Sequence, residues 1–228
     1  MKDEEIPSTN TVASNVNNRC RAILIAPVHE NAAGQVREAL SGGDVASVII
    51  AKGGLSEQAY RVHAEAIVPL VQLAGAAALL VDDTQLLGRT EADGMFVPSG
   101  LENLKAMLAR FSPKKIVGYG GAKERHSALE AGELNPDFIF FGKIDGDIKA
   151  KAHPKNLGLA EWWSTMIEVP IVVMAGSSID SVVEVAENGA DFVALNLAVF
   201  DHADGPAAAV AKVNELLDRH APLLNEEN

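Results

Sequence analysis

Lys143, Lys149, Lys151 and Lys155 stand within 13 positions of a chain that has 11 lysines in all. They follow Phe138 to Phe141, four apolar residues closed by Gly142, so a buried strand delivers a cationic loop. In a chain of net charge −12, cations gathered on one loop point to a bound anion. Lys143, next to the glycine, could pair with a phosphate, or serve as acid or base if burial lowers its pKa. The plainer alternative is a solvated lysine, or one paired with Asp145 or Asp147; the three lysines beyond it read as a lid or as surface. Gly176-Ser177-Ser178 follows another apolar run and precedes a helix whose free N–H groups favour an anion. The plainer alternative is a glycine turn with Ser178 or Asp180 capping that helix. Asp82-Asp83 ends a third run. A carboxylate there could hold Mg²⁺, which takes oxygen ligands alongside substrate phosphates, or Asp83 could cap the next helix. No HxH or HExxH spacing supports a zinc site, Trp162-Trp163 reads as packing, and the lone Cys20 excludes an internal disulfide.

Eight apolar segments position these residues, at 22–28, 45–51, 76–81, 94–97, 115–119, 138–141, 170–175 and 192–197. Helical patterns alternate with them at 30–40, 56–73, 85–89, 101–111, 123–134, 159–167, 180–187 and 206–217; Pro69 predicts a kink or early end in the second. Strand–helix alternation predicts a parallel sheet, and eight repeats predict an α/β fold of a single (β/α)₈ barrel over 21–228. A doubly wound open sheet is the alternative, since the fourth strand is weak. Residues 1–20 read as a disordered polar tail. In a barrel the site lies at the C-terminal strand ends. The candidates are therefore His29, Lys52, Asp82, Asp83, Ser99, Tyr119, Lys143, Gly176 to Ser178, and Asn196.

The totals narrow the partners. A pI near 4.9 argues against nucleic acid or an anionic membrane, and no apolar run is long enough to span a bilayer. The expectation is a soluble cytoplasmic protein that takes a phosphorylated small molecule, with a homo-oligomer left open.

D-F-I-F-F-G-K-I with its lysine loop, P-I-V-V-M-A-G-S-S-I-D, and N-G-A-D-F-V-A-L-N-L-A-V-F together resemble the thiamine phosphate synthase and thiazole tautomerase superfamily. A-A-L-L-V-D-D and E-A-D-G-M-F-V-P-S resemble its third and fourth strands, and the similarity covers residues 21 to 217. It implies a synthase of thiamine biosynthesis, a transferase that joins a pyrimidine pyrophosphate to a thiazole phosphate while Mg²⁺ holds the departing pyrophosphate. On that resemblance Asp83 is the metal aspartate, with Glu102 as substitute for the second. Lys52 and Lys143 serve the anionic groups as catalytic residues. Gly176, Ser177, Ser178 and Asn196 hold phosphate, with Lys149 or Lys151 in place of the family's loop lysine. The sequence departs from the family pattern at the second-strand Gln-Leu-Arg (Ile49-Ile50-Ala51 here), at the aspartate after the fourth strand (Pro98 to Leu101), at the serine after the fifth (around Tyr119-Gly120) and at the Thr-x-Thr loop after the sixth. Lys143 stands where the tautomerase branch has a histidine. These departures imply a diverged member, with a non-catalytic phosphate-ligand-binding paralogue, or an isomerase of another phosphorylated molecule, as alternatives.

Overall fold

The computed structural model describes residues 19–224. Strands β1 (Arg21–Ile25), β2 (Ser47–Ile50), β3 (Ala77–Val81), β4 (Gly94–Val97), β5 (Ile116–Tyr119), β6 (Phe138–Phe141), β7 (Ile171–Met174) and β8 (Phe192–Leu195) pair in sequence order, all parallel. β8 pairs with β1 and closes the barrel, which settles the topology against an open sheet. Between the strands run α1 (Ala32–Leu40), α2 (Glu57–Leu73), α3 (Thr84–Thr90), α4 (Leu101–Phe111), α5 (Arg125–Gly132), α6 (Pro154–Ser164) and α7 (Ser181–Glu187); α8 (Leu197–Phe200) and α9 (Pro206–His220) follow β8.

Period-two alternation along each strand sorts side chains into two cores. One set faces the helices; Ile23, Ile25, Ile49, Leu79, Phe96, Phe138, Phe140, Val172, Met174 and Ala194 fill the barrel itself. Its aromatic half is packed ring on ring, with Phe96 and Phe140 centroids 5.2 Å apart at 65°. Gly118 of β5 and Gly120 just past it make room for the rings. A Cβ on Gly118 would lie 1.9 Å from the Phe138 ring, and one on Gly120 would lie 2.1 Å from the Phe96 ring.

The floor of the barrel is stapled by aspartates that precede the even strands. Asp93 accepts from Ala78 N at 2.8 Å, Asp137 from Val117 N at 2.7 Å, and Asp191 from Ile171 N at 2.8 Å. Asp44, before β2, instead forks onto the Arg21 guanidinium at 2.6 and 2.8 Å. The three backbone bonds each satisfy an N–H at the start of the preceding odd strand.

Several expectations change. Arg19 and Cys20 belong to the barrel and not to the tail: both are buried, and Arg19 bonds Asp218 at 2.6 Å. The rest of the expected tail lies outside the described residues. Pro69 does not end α2, which runs through it; the residue is exposed, so the carbonyl it leaves unbonded is accessible to water. α6 starts earlier than its apolar pattern predicts, because His153 caps it and Pro154 fits its first turn. Lys155 therefore stands on that helix. Among the described residues no helix is long and apolar enough to cross a membrane.

Candidate functional site

The polar residues gather at the C-terminal strand ends, held there by core contacts. Tyr60 of α2 donates to Ile50 O at 2.9 Å and accepts from Val81 N at 3.1 Å, which ties the ends of β2 and β3 together. Burial pushes its phenol up to about 12. Lys52 emerges exposed just past β2, with no carboxylate within ion-pair distance among the described residues.

At the tip of β3 the two aspartates separate. Asp82 adopts a left-handed conformation with φ 48°. Its carboxylate accepts from Asn103 Nδ2 at 3.0 Å, and the same amide reaches Ser99 Oγ at 2.6 Å. Partial desolvation raises the Asp82 pKa above the ordinary value, opposed by its contacts with Ser99 and Asn103. Asp83 turns the other way: Oδ1 accepts from Leu86 N at 2.8 Å and caps α3. It lines an outer cleft with Arg61 and Arg89. Glu102 is exposed in the first turn of α4, and its neighbour Asn103 makes the contact instead. Among the described residues no three His, Cys, Asp or Glu side chains come together to hold a metal ion. Asp83 is engaged in the α3 cap and Glu102 stands exposed on α4, so no step below passes through a metal.

At the end of β5 Tyr119 is buried, and Gly120 just past it lies against the Phe96 ring. After β6, Gly142 at φ 132° approaches Met174 and Asn156 too closely for any side chain. Lys143 then projects into a cavity of about 550 Å³ that also receives Lys123, His153, Lys155 and Asn156. A smaller hollow of about 210 Å³, over Phe96, Gly120 and Lys143, adjoins it at the barrel mouth.

From there the chain crosses the barrel end as a strap. Asp147 is only 2 % exposed; its Oδ2 accepts from Leu197 N at 2.6 Å. Burial raises this carboxyl above the ordinary range, opposed by backbone N–H bonds from Leu197, from Asp147 itself and from Asn196, while Asp201 pushes it further up. Lys149 O accepts from Ser177 N at 2.8 Å and Ala150 O from Ser178 N at 3.2 Å. Gly176 N bonds Ser181 Oγ at 2.9 Å, and a Cβ at Gly176 would lie 2.2 Å from Ala150 O. The backbone donors of Gly176, Ser177, Ser178 and Asn196 thus meet acceptors of the chain itself. The side chains of Lys149 and Lys151 point outward, exposed. His29 is exposed and bonds Gln35 at 2.8 Å, on the flank between α1 and α2.

Asn103 and Lys123 are site residues that sequence reasoning passed over, and Asp147 entered it only as a possible partner for Lys143, not for its role in holding the strap. Lys123 carried a signal, a cation just past the glycines that end β5. Asp147 carried none, because its partner is 50 residues away.

A closed parallel barrel with its polar side chains and cavities at the C-terminal strand ends belongs to the (β/α)₈ class that handles small molecules there. The family model described as thiamine monophosphate synthase matches residues 22–199, and the chain belongs to that family. The thiamine-phosphate synthase of Rhodospirillum centenum is 34 % identical over 207 residues, 87 % of this chain and 98 % of that one. That of Hyphomonas neptunium is 32 % identical over 188 residues, 80 % and 85 % of the two chains. Among solved structures, thiamine phosphate pyrophosphorylase from Pyrococcus furiosus superposes with a TM-score of 0.74 at 19 % identity, over 91 % of this chain and all of that one. A 3-hexulose-6-phosphate synthase superposes at 0.68 and 16 % identity, over 86 % and 99 %. Both structural likenesses speak for the fold alone.

Proposed function

We propose that this protein is a transferase of thiamine biosynthesis that joins a pyrimidine pyrophosphate to a thiazole phosphate with release of pyrophosphate. One observation carries the reading within the family: unpaired cations, Lys52 and Lys143, stand at the ends of β2 and β6, where an anionic leaving group can be met. Charge-assisted contacts to such a group are each worth about 1.5–3 kcal/mol. Asp82, at the tip of β3 and oriented by Asn103 and Ser99, is a polar group at the same barrel end that can orient the pyrimidine. The test is direct. Purified protein given both substrates, with and without MgCl₂, is assayed for thiamine phosphate by oxidation to its fluorescent thiochrome. Formation proportional to enzyme supports the reading; no product above the protein-free control overturns it.

A second reading, a non-catalytic binder of a phosphorylated ligand, is favoured by the strap that engages the amides of Ser177, Ser178 and Leu197. It expects saturable binding of a substrate or of thiamine phosphate, read by calorimetry, without turnover.

A further inference from the structure

We propose that the groove between α1 and α2 is a second ligand site, built for a flat nitrogen heterocycle that is neutral or cationic and donates an N–H to His63 Nε2. It lies on the flank of the barrel. Neither Lys52 nor Lys143 lines it, so the inference goes beyond the reaction assigned above and does not depend on it.

The observation that carries it is a histidine with nothing to bond. His63 stands in the second turn of α2. Its Nε2 is shut off from solvent and has no hydrogen-bond partner; among the described residues only Arg61 Nε shares that state. Buried polar atoms almost always have a partner, so a bare one in the wall of a cavity marks the place where a ligand group completes the set. Burial, reinforced by the neighbouring His29, holds the His63 pKa below its ordinary value. The ring is therefore neutral near pH 7, and with its proton on Nδ1 it presents a lone pair at Nε2. His29 does not compete for the ligand, because its Nε2 meets Gln35 at 2.8 Å and its Nδ1 accepts from Asn31 N at 3.1 Å.

The cavity around that atom sets the class of ligand. Its volume of about 490 Å³ falls within the range of small-molecule sites, about 300–1,000 Å³. Ala33 of α1 and Leu55, Ala59 and Val62 on the α2 side supply apolar walls, and Val62 keeps 55 % of its surface exposed where a ring can cover it. Glu30 is the one Asp, Glu, Lys or Arg in the lining besides these, and it pairs with no cation among the described residues. An anion would find no lysine or arginine in the wall, whereas a cation or a neutral N–H finds a carboxylate and a ring nitrogen that only accept. The α2 wall is held in place before any ligand arrives. Ser56 Oγ accepts from Ala59 N at 3.2 Å, and Leu55 N donates to Lys52 O at 3.1 Å.

Benzimidazole is the probe, with 1-methylbenzimidazole, which lacks the N–H, and benzoate as controls. Titrated into ¹⁵N-labelled protein, benzimidazole should shift the amides of Glu30, Ala33, Leu55, Ala59 and His63. 1-Methylbenzimidazole should bind about three- to tenfold more weakly, the worth of one hydrogen bond, and benzoate should produce no shift there. His63→Leu should weaken benzimidazole by a similar factor without lowering Tm, since the protein loses no bond of its own. Ala59→Phe, which fills the groove, should abolish binding. Equal affinity for the two benzimidazoles, a preference for benzoate, or a Kd unchanged in His63→Leu or Ala59→Phe would each overturn the site. So would shifts centred on Gly142 to Gly146 instead, or none up to the solubility limit of the probe. A mass in solution that rises with protein concentration and falls back in Val62→Glu would give the groove to a second copy of the chain, and would overturn it too. None of these outcomes bears on the synthase assay, so each reading can fail alone.

Discussion

Asp147→Ala tests how the strap is held. The substitution removes a buried acceptor and leaves Leu197 N, and the bond drawn from Asn196, without a partner. An unsatisfied buried donor costs about 1–3 kcal/mol, and a bond to a charged group is worth about 1.5–3 kcal/mol. Against this stands the relief of burying a carboxylate whose charged form is already disfavoured, since desolvation is the largest influence on its pKa and acts upward. The net loss should be about 2 kcal/mol, which in a chain of this length lowers Tm by roughly 4–8 °C. Asp147→Asn keeps an acceptor oxygen and loses the unfavourable charge, so it should cost less than half as much. The raised folded pKa also sets a pH signature. The carboxyl's contribution is fully present below its ordinary, unfolded-state pKa and is lost as pH rises through the raised one. Wild type should therefore lead Asp147→Asn most in acid, with the gap shrinking as pH climbs above the ordinary carboxylate range. Calorimetric melts across that range measure both. Hydrogen exchange adds a local readout, because releasing the strap exposes Ser177 N and Ser178 N. Full protection of those amides in Asp147→Ala, with Tm within about 1 °C of wild type, would refute the reasoning.

Three further outcomes are expected. Gly118→Ala should destabilise by about 1–3 kcal/mol or more, because the added methyl meets the Phe138 ring, and Phe138→Leu in the same chain should recover part of the loss in chemical denaturation. Burial, reinforced by Asp191 and opposed by Arg19, pushes the Cys20 thiol up to about 12. The native protein should resist iodoacetamide at pH about 8 while the denatured chain, whose thiol has the ordinary pKa of about 8.5, reacts; stability should fall as pH rises from that value through about 12. If the transferase reading holds, Lys143→Met should lower kcat/KM by about tenfold or more in the thiochrome assay with the thermal melt unchanged.

The barrel was legible because its strands are buried on both faces and read as unbroken apolar runs between helical patterns. β4 looked weak only because Gly94 opens it, and a Cβ there would meet Ile116 O at 2.2 Å. α8 was hidden for a related reason: Leu197–Phe200 continues the apolar run of β8 without a break in composition. At the site, the sequence placed Lys143 and Lys52 at the strand ends, but only the resemblance, and no local pattern, separated Asp83 from Asp82. In the structure that separation is made by a left-handed φ at Asp82, which turns the second carboxylate onto α3. Whether the amides of Ser177 and Ser178 are free for a ligand depends on carbonyls 28 residues earlier, and no local pattern records that pairing. The A-D-G, P-D-F and A-D-F phrases carried the resemblance; their aspartates staple the floor.

Those staples divide the molecule unevenly. Asp93, Asp137, Asp191 and the Arg21–Asp44 fork each join an odd strand to the even strand after it, which makes four two-strand staves around the barrel. No such staple joins one stave to the next among the described residues. The floor is therefore eightfold in its backbone ladder and fourfold in its aspartate fastenings, and it has seams. New chain ends opened at Gly75 or Lys114, between staves, leave every staple within a continuous segment. Ends opened at Gly43 or Asn135 cut a stave across the turn that carries its aspartate. Circular permutants of the first kind should fold and those of the second should lose the barrel, although all four turns lie on the same face.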